Sequence, residues 1–148
     1  MTNPKYLYHG GRRDLEGSKL IPKKSTDLEE NPHNILEGVY SSDIKEEAIA
    51  MGILSCKGVR GSSCNVERKD SKKVDAIIYG GWPAQDFFYL YTLPSKTFQN
   101  RPKGSHQWVS LKPVKPVKIE KLLVKNYIHL IRKAAKKEKE EWHKKFGD

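Results

Sequence analysis

Long apolar runs are missing from this 148-residue sequence. No stretch approaches the ~20 consecutive apolar residues that a membrane-spanning helix needs, so we expect no membrane partner. The first residues, MTNPKYLYHGG, contain no apolar core of the kind found in a secretory signal peptide. Together these absences predict a cytoplasmic protein.

Cysteine is also scarce. Cys56 and Cys64 are the only two, and they lie eight positions apart. One pair is not a disulfide framework, and no second Cys or His pair stands nearby at zinc-finger spacing, so we expect no metal site. Two reduced thiols in a cytosolic protein are the favoured interpretation, and a local disulfide or a redox role is the alternative.

Acidic residues are fewer than basic ones, at 18 against 28, which gives a formal charge of +10. A basic balance suits an anionic partner such as a nucleic acid, a dinucleotide or an acidic protein surface. The excess of basic over acidic residues is distributed unevenly along the chain, because the segment 125–148 alone carries a net charge of +4. That segment is either an ordinary solvated helix face or a nucleic-acid contact face.

The length is that of one domain, with room for a real core but not for a (β/α)₈ barrel or a kinase. Aromatic and β-branched runs predict strands, whereas the segments 12–37 and 58–73 are polar or irregular and predict loops. The predicted strands are Lys5–His9, Val39–Tyr40, Val74–Tyr79, Phe87–Leu93, Trp108–Leu111 and Val117–Val124.

Two helices are predicted. Asp43 has the chemistry of an N-cap, with Glu46 three residues later, and Gly52 is a candidate helix end. Tyr40 and Ser42 therefore lie where a strand leads into a helix N-terminus, a place that favours anions. From Asn126 onward a thin apolar stripe predicts a basic C-terminal helix. We expect an α+β fold with one domain over 1–124 and a helix over 125–148 packed on it.

Three short segments taken in order carry a resemblance to a known family. Tyr8-His9-Gly10 ends the first strand, Val39-Tyr40-Ser41-Ser42-Asp43 precedes a helix, and Gln107-Trp108-Val109-Ser110 lies on a later strand. This order resembles the ADP-ribosyltransferase fold in its His-Tyr-Glu branch, which includes diphtheria-toxin-like enzymes and poly(ADP-ribose) polymerases. The resemblance covers most of the chain as an ordering of elements and implies a small split β-sheet or barrel.

The resemblance also implies roles. NAD would be the substrate, with His9 donating to a ribose hydroxyl and the backbone of Gly10 approaching the nicotinamide amide. Tyr40 would stack on the cationic nicotinamide ring. Independently of the resemblance, the hydroxyl of Ser42 could donate to a ribose or phosphate. Each position also has a structural interpretation: His9 as a satisfied structural histidine, Tyr40 as core, and Ser42 as a helix cap.

The sequence departs from the family pattern at the last position, where Gln107 stands in place of the catalytic glutamate. Glutamine keeps a hydrogen-bond acceptor but loses the charge that would stabilise the developing oxocarbenium ion. Glu120 is the nearest carboxylate farther along the chain, with no predicted place in the cleft.

Several functions stay open on these residues. One is an ADP-ribosyltransferase that transfers ADP-ribose slowly to a macromolecule, either a protein or a nucleic acid, or to water. A second is a catalytically silent protein of the same fold that binds a nucleotide or a partner. A third is an unrelated basic domain that binds nucleic acid or a protein. A remoter option is a nuclease that uses His9 with His106 or His129 as acid and base.

Overall fold

The structure is a computed structural model, and it describes residues 3–14, 19–24, 37–66 and 73–146. Its strands outnumber its helices, and a 3₁₀ turn over Ile128–Leu130 separates α2 from β10. In chain order the elements are β1 (Tyr6–Gly11), β2 (Lys23–Lys24), β3 (Glu37–Ser42), α1 (Lys45–Leu54), β4 (Ser62–Val66), β5 (Val74–Ile78), β6 (Phe87–Pro94), β7 (Phe98–Asn100), β8 (Gln107–Ser110), β9 (Lys118–Leu123), α2 (Val124–Tyr127), β10 (Ile131–Lys133) and α3 (Lys136–Phe146).

The larger sheet has the strand order β7-β8-β3-β1-β6-β9, with β2 paired to β3, and all its pairings are antiparallel. Strand β6 is buried on both faces. Phe88 and Leu90 pack toward α1, whereas Tyr91 and Leu93 join a second cluster on the opposite face. Because side chains alternate along a strand, a central strand covered on both sides needs an unbroken apolar run, which explains the segment FFYLYTL.

A smaller sheet has the order β10-β5-β4. Strands β4 and β5 pair antiparallel, and β10 runs parallel to β5. Helix α1 packs against β1 of the larger sheet and against β4 and β5 of the smaller one. Its residues Ala48, Ile49 and Ala50 are buried in succession, because the helix is covered on more than one side. The α+β class with mostly antiparallel sheets is confirmed.

Both predicted ends of α1 are wrong. The N-cap position is Ile44, which makes no side-chain cap, and the Asp43 carboxylate instead accepts hydrogen bonds from His106 and Trp108. Gly52 lies inside the helix, which continues to Leu54. Glycine is needed at this interior position because a Cβ there would lie 2.8 Å from the Phe88 ring.

The prediction of one continuous helix from Asn126 is also wrong. The segment forms the short helix α2, the 3₁₀ turn, the strand β10 and only then α3. Ile131 is buried and pairs with Ala76 of β5, so its place in the core and in the ladder outweighs the helical spacing.

Helix α3 has no buried residue among those described. It contacts the rest of the protein through the side chains of Glu138 and Trp142. The Trp142 ring stacks on Tyr79 with centroids 5.1 Å apart. Arg132 donates to the carboxylates of Asp75 and Glu138, at 3.0 and 2.7 Å. No helix in the described part of the chain is long and apolar enough to cross a membrane.

The described parts of the two predicted loops contain strands. The segment 58–73 contains β4, which pairs with β5 over its whole length, so the prediction of a loop there is wrong for residues 62–66. The segment 12–37 contains β2 and the start of β3, and Leu20 bridges to Val114. Residues 15–18, 25–36 and 67–72 of these segments lie outside the described residues.

Candidate functional site

Strands β1, β3 and β8 are neighbours in the larger sheet, and they carry the three motif segments. Ser42 of β3 is registered with Tyr8 of β1 on one side and with Gln107 of β8 on the other. Registered partners point to the same face, and strands lie about 4.8 Å apart, so β1 and β8 are separated by roughly 10 Å. The three motifs thus meet in one row across the sheet.

A cleft of about 420 Å³ opens beside this row. The five residues expected to bind substrate or act in catalysis all lie in its wall: His9, Gly10, Tyr40, Ser42 and Gln107. The rest of the wall comes from α1, β4 and the segment before β8, including Glu47, Met51, Cys64, Asn65, Ser105 and His106. Among the described residues, no lysine or arginine is part of the lining.

His9 lies where β1 and β3 separate. Tyr8 and Ser42 are the one registered pair between these strands, and beyond it the His9 Nδ1–H donates to the Tyr40 carbonyl oxygen at 2.6 Å. Burial lowers the pKa of His9, an effect that the Tyr40 carbonyl opposes and nearby Lys23 reinforces. The neutral ring therefore keeps its proton on Nδ1, and Nε2 is an acceptor. With its proton held on Nδ1, the neutral ring would meet a ribose hydroxyl as an acceptor at Nε2. The expected contact of His9 with a ribose stays a prediction.

Gly10 has a structural reason to be glycine. A Cβ at this position would lie 2.1 Å from the Ala48 carbonyl oxygen and 2.7 Å from the Gly52 nitrogen, both in the backbone of α1. The missing side chain therefore lets the helix approach the strand, and the approach of a ligand amide to the Gly10 backbone stays a prediction. Gly10 still forms part of the cleft wall.

Ser42 is a cleft residue that also closes a local turn before α1. Its Oγ accepts from the Ile44 N–H at 2.9 Å. Because Ile44 is itself the N-cap position and α1 has no side-chain cap, the interpretation of Ser42 as a helix cap is wrong. The Ser42 hydroxyl also acts on the neighbouring Glu47 carboxyl, whose pKa it lowers.

Gln107 is held by its own loop. The Nε2 amide donates to the Arg101 carbonyl oxygen at 2.9 Å, across the turn that precedes β8. A carboxylate cannot make this bond, and it would be repelled by the carbonyl oxygen. The glutamine at this position is therefore part of a defined turn as well as part of the cleft wall.

Glu47 is the carboxylate in the cleft, and sequence reasoning missed it. It lies in the first turn of α1, five residues after Ser42, and it is half-buried. Burial raises the pKa of Glu47, against the lowering effects of the Ser42 hydroxyl and His106. Glu120, the carboxylate considered from the sequence, lies on β9 at an outer edge of the larger sheet and is no part of the wall.

His106 forms a second polar feature of the wall. Its Nδ1–H donates to Asp43 at 2.8 Å, and the other Asp43 oxygen accepts from the Trp108 indole at 3.1 Å. Within the described residues, His106 Nε2 is the one buried side-chain nitrogen or oxygen with no hydrogen-bond partner. A buried nitrogen without a partner is costly, so a ligand group that satisfies it would be favoured. His129 lies in the 3₁₀ turn, outside the lining.

Within the part of the chain that the structure describes, neither cysteine belongs to a metal cluster. No group of three or more His, Cys, Asp or Glu side chains in the described ranges could hold a metal ion. Both thiols are free: Cys56 is buried, and Cys64 is half-buried in the cleft wall.

No known protein family, no curated protein and no solved structure matches this chain.

Proposed function

We propose that this protein is ADP-ribosyltransferase-like, that its cleft binds NAD, and that it releases nicotinamide slowly. The observation that carries the proposal is the convergence of His9, Tyr40 and Gln107 on one cleft. They come from three adjacent strands, in the order that the His-Tyr-Glu resemblance implies.

The cleft suits the nicotinamide riboside half of NAD. Its volume of about 420 Å³ is in the lower part of the range for small-molecule sites, roughly 300–1,000 Å³. The Tyr40 ring offers an aromatic face to the cationic nicotinamide, and His9 Nε2 accepts from a ribose hydroxyl. The described lining contains no lysine or arginine for a diphosphate, so the phosphates lie outside this cleft. Arg12 and Arg13, directly after β1, are the nearest cations in sequence.

Slow turnover follows from position 107. A carboxylate near the nicotinamide ribose stabilises the positive charge that develops as nicotinamide leaves, and preorganised groups of this kind contribute about 3–4 kcal/mol each. Gln107 offers only a dipole there, and its amide is already bonded to Arg101. We therefore expect nicotinamide release at least 100-fold slower than with a carboxylate in that place.

Calorimetric titration with NAD tests the binding step. We expect saturable binding by the wild-type protein and a loss of about fivefold in affinity on His9→Ala, since one hydrogen bond contributes about 1 kcal/mol. His129→Ala is the matched control, because His129 is exposed and outside the cleft, and its affinity should equal that of the wild type. Absence of NAD binding at millimolar concentration would refute the proposal.

Nicotinamide release, followed by chromatography, tests the chemical step. Gln107→Glu restores a negative charge at the family position and should raise the rate. Gln99→Glu is the control: Gln99 is exposed on β7, the strand next to β8, and its substitution should leave the rate unchanged. Equal rates for the two variants would show that position 107 has no role in bond cleavage.

The basic C-terminal segment favours nucleic acid as the macromolecular partner or acceptor, a second role separate from the cleft. The lysines of α3 are exposed, and Trp142 fixes the helix to Tyr79 with its polar side outward. If these lysines contact phosphates, affinity for a duplex falls steeply with salt, and Lys137→Glu with Lys144→Glu reduces both the affinity and the salt slope. A flat salt response contradicts this role.

A further inference from the structure

We propose that Glu47 is the catalytic base of this cleft and that it selects a hydroxyl-bearing acceptor. This inference rests on the proposed function, because it assigns a residue to the reaction of NAD in the same cleft. It concerns a position outside the three motif segments.

The geometry links Glu47 to the motif row. Glu47, Ser42 and Gln107 all line the cleft, and Ser42 is the residue of β3 that is registered with Gln107. Registered side chains point to the same face of the sheet, and α1 lies on that face, where Gly10 meets Ala48. Glu47, in the first turn of α1, therefore faces the same cleft as Gln107 from the side of the helix.

The reaction balances with one base. The bond between ribose C1′ and the nicotinamide nitrogen breaks, and its electron pair leaves with nicotinamide as the neutral molecule. The acceptor oxygen forms a new bond to C1′, and its proton passes to the Glu47 carboxylate. That proton is later released to water, so NAD and a hydroxyl compound yield an ADP-ribosylated product, nicotinamide and one proton.

The surroundings of Glu47 suit a base. Burial is the main cause that raises the pKa of the Glu47 carboxyl, and the neighbouring Asp43 carboxylate adds to it. His106 acts in the opposite direction, and the Cys64 thiol and the neutral His9 ring lie in the same wall. A carboxylate with a raised pKa accepts a proton more readily at neutral pH than an exposed one does.

The negative charge of the Glu47 carboxylate also indicates which class of acceptor the cleft takes. An acidic acceptor has no proton to lose at neutral pH, and it would be repelled by Glu47 in a wall without described lysines or arginines. A hydroxyl is neutral and must lose its proton as the new bond forms. The acceptor is therefore water or a hydroxyl group of a ribose, serine or sugar, rather than a carboxylate side chain.

The test compares Glu47→Gln with Glu46→Gln, its exposed neighbour in the same helical turn. Glu47→Gln should lower nicotinamide release at least 100-fold, the usual range for a lost general base, while NAD affinity changes less than threefold. The wild-type rate should rise with pH through an apparent pKa above the ordinary glutamate value, and this step should vanish in Glu47→Gln. Glu46→Gln should match the wild type in all three measurements.

Each outcome is decisive. No NAD binding by the wild type overturns both this inference and the proposed function. NAD binding without nicotinamide release overturns the role of Glu47 and also the release step of the proposed function. Equal rates for Glu47→Gln and Glu46→Gln overturn the role of Glu47 alone. If Glu47→Gln does not fold by circular dichroism, Glu47→Asp replaces it: the shorter carboxylate should lower release at least tenfold with unchanged NAD affinity. An unchanged rate in that variant overturns the inference.

Discussion

Gly10 is where β1 approaches α1 most closely, and Gly10→Ala measures how much that approach matters. The new Cβ would lie 2.1 Å from the Ala48 carbonyl oxygen and 2.8 Å from the Gly52 Cα. Both are backbone atoms, so they cannot turn aside as the end of a flexible side chain does. Strand and helix would have to separate by about 1 Å to restore ordinary contact, and overpacking of this kind costs about 1–3 kcal/mol.

Thermal unfolding followed by far-UV circular dichroism gives the measurement. For a chain of this size, 1–3 kcal/mol corresponds to a fall in Tm of about 3–10 °C. Gly11→Ala is the matched control, since it adds the same methyl group one position later in β1 at an ordinary 3.5 Å from the Tyr91 ring. Its Tm should stay within about 2 °C of the wild type. Equal Tm values for the two variants would refute the proposed close contact.

Two further predictions concern pH and thiol chemistry. Hydrogen bonds from Arg132 and the Ala135 N–H lower the pKa of Glu138 to about 2, so their stabilisation of α3 is present above about pH 4.5 and is lost as pH falls toward 2. The NMR indole signal of Trp142 should shift across that window, and an unchanged signal down to pH 2 would contradict the attachment. Burial raises the pKa of Cys56 to about 11 and of Cys64 to about 12, so iodoacetamide should label both slowly at pH 8 until denaturant is added. Fast labelling of either thiol in the folded protein would contradict this burial.

The sequence was a good guide to strands whose side chains are buried. Phe87–Leu93 is apolar on both faces because Phe88 packs toward α1 and Leu93 packs on the other side of the sheet. Strand β4 was missed because it has no apolar run. Most of the residues of Ser62–Val66 are polar, all are half-buried or exposed, and the pairing with β5 makes them a strand.

The site was predictable where order along the chain implied neighbouring strands. His9, Tyr40 and Gln107 were identified from the resemblance of three ordered motif segments to a known family, and the structure brings them to one cleft. Glu47 and the bond between Asp43 and His106 were not identified, because they depend on contacts between residues far apart in the chain. Asp43 has the chemistry of an N-cap, and only the nearby His106 and Trp108 explain why its carboxylate points elsewhere.

The parallel pairing of β10 changes what removal of the C-terminal segment would measure. Lys133 is paired with Ile78, and the Ala134 N–H donates to the Ile78 carbonyl at 2.9 Å. A chain cut before Ile131 would leave one side of β5 as an open edge and would uncover core that Ile131 now covers. Open edges pair with other chains, so such a truncated protein should aggregate. A tag fused after α3 leaves this edge closed, which makes the C-terminus a better place for additions than for deletions.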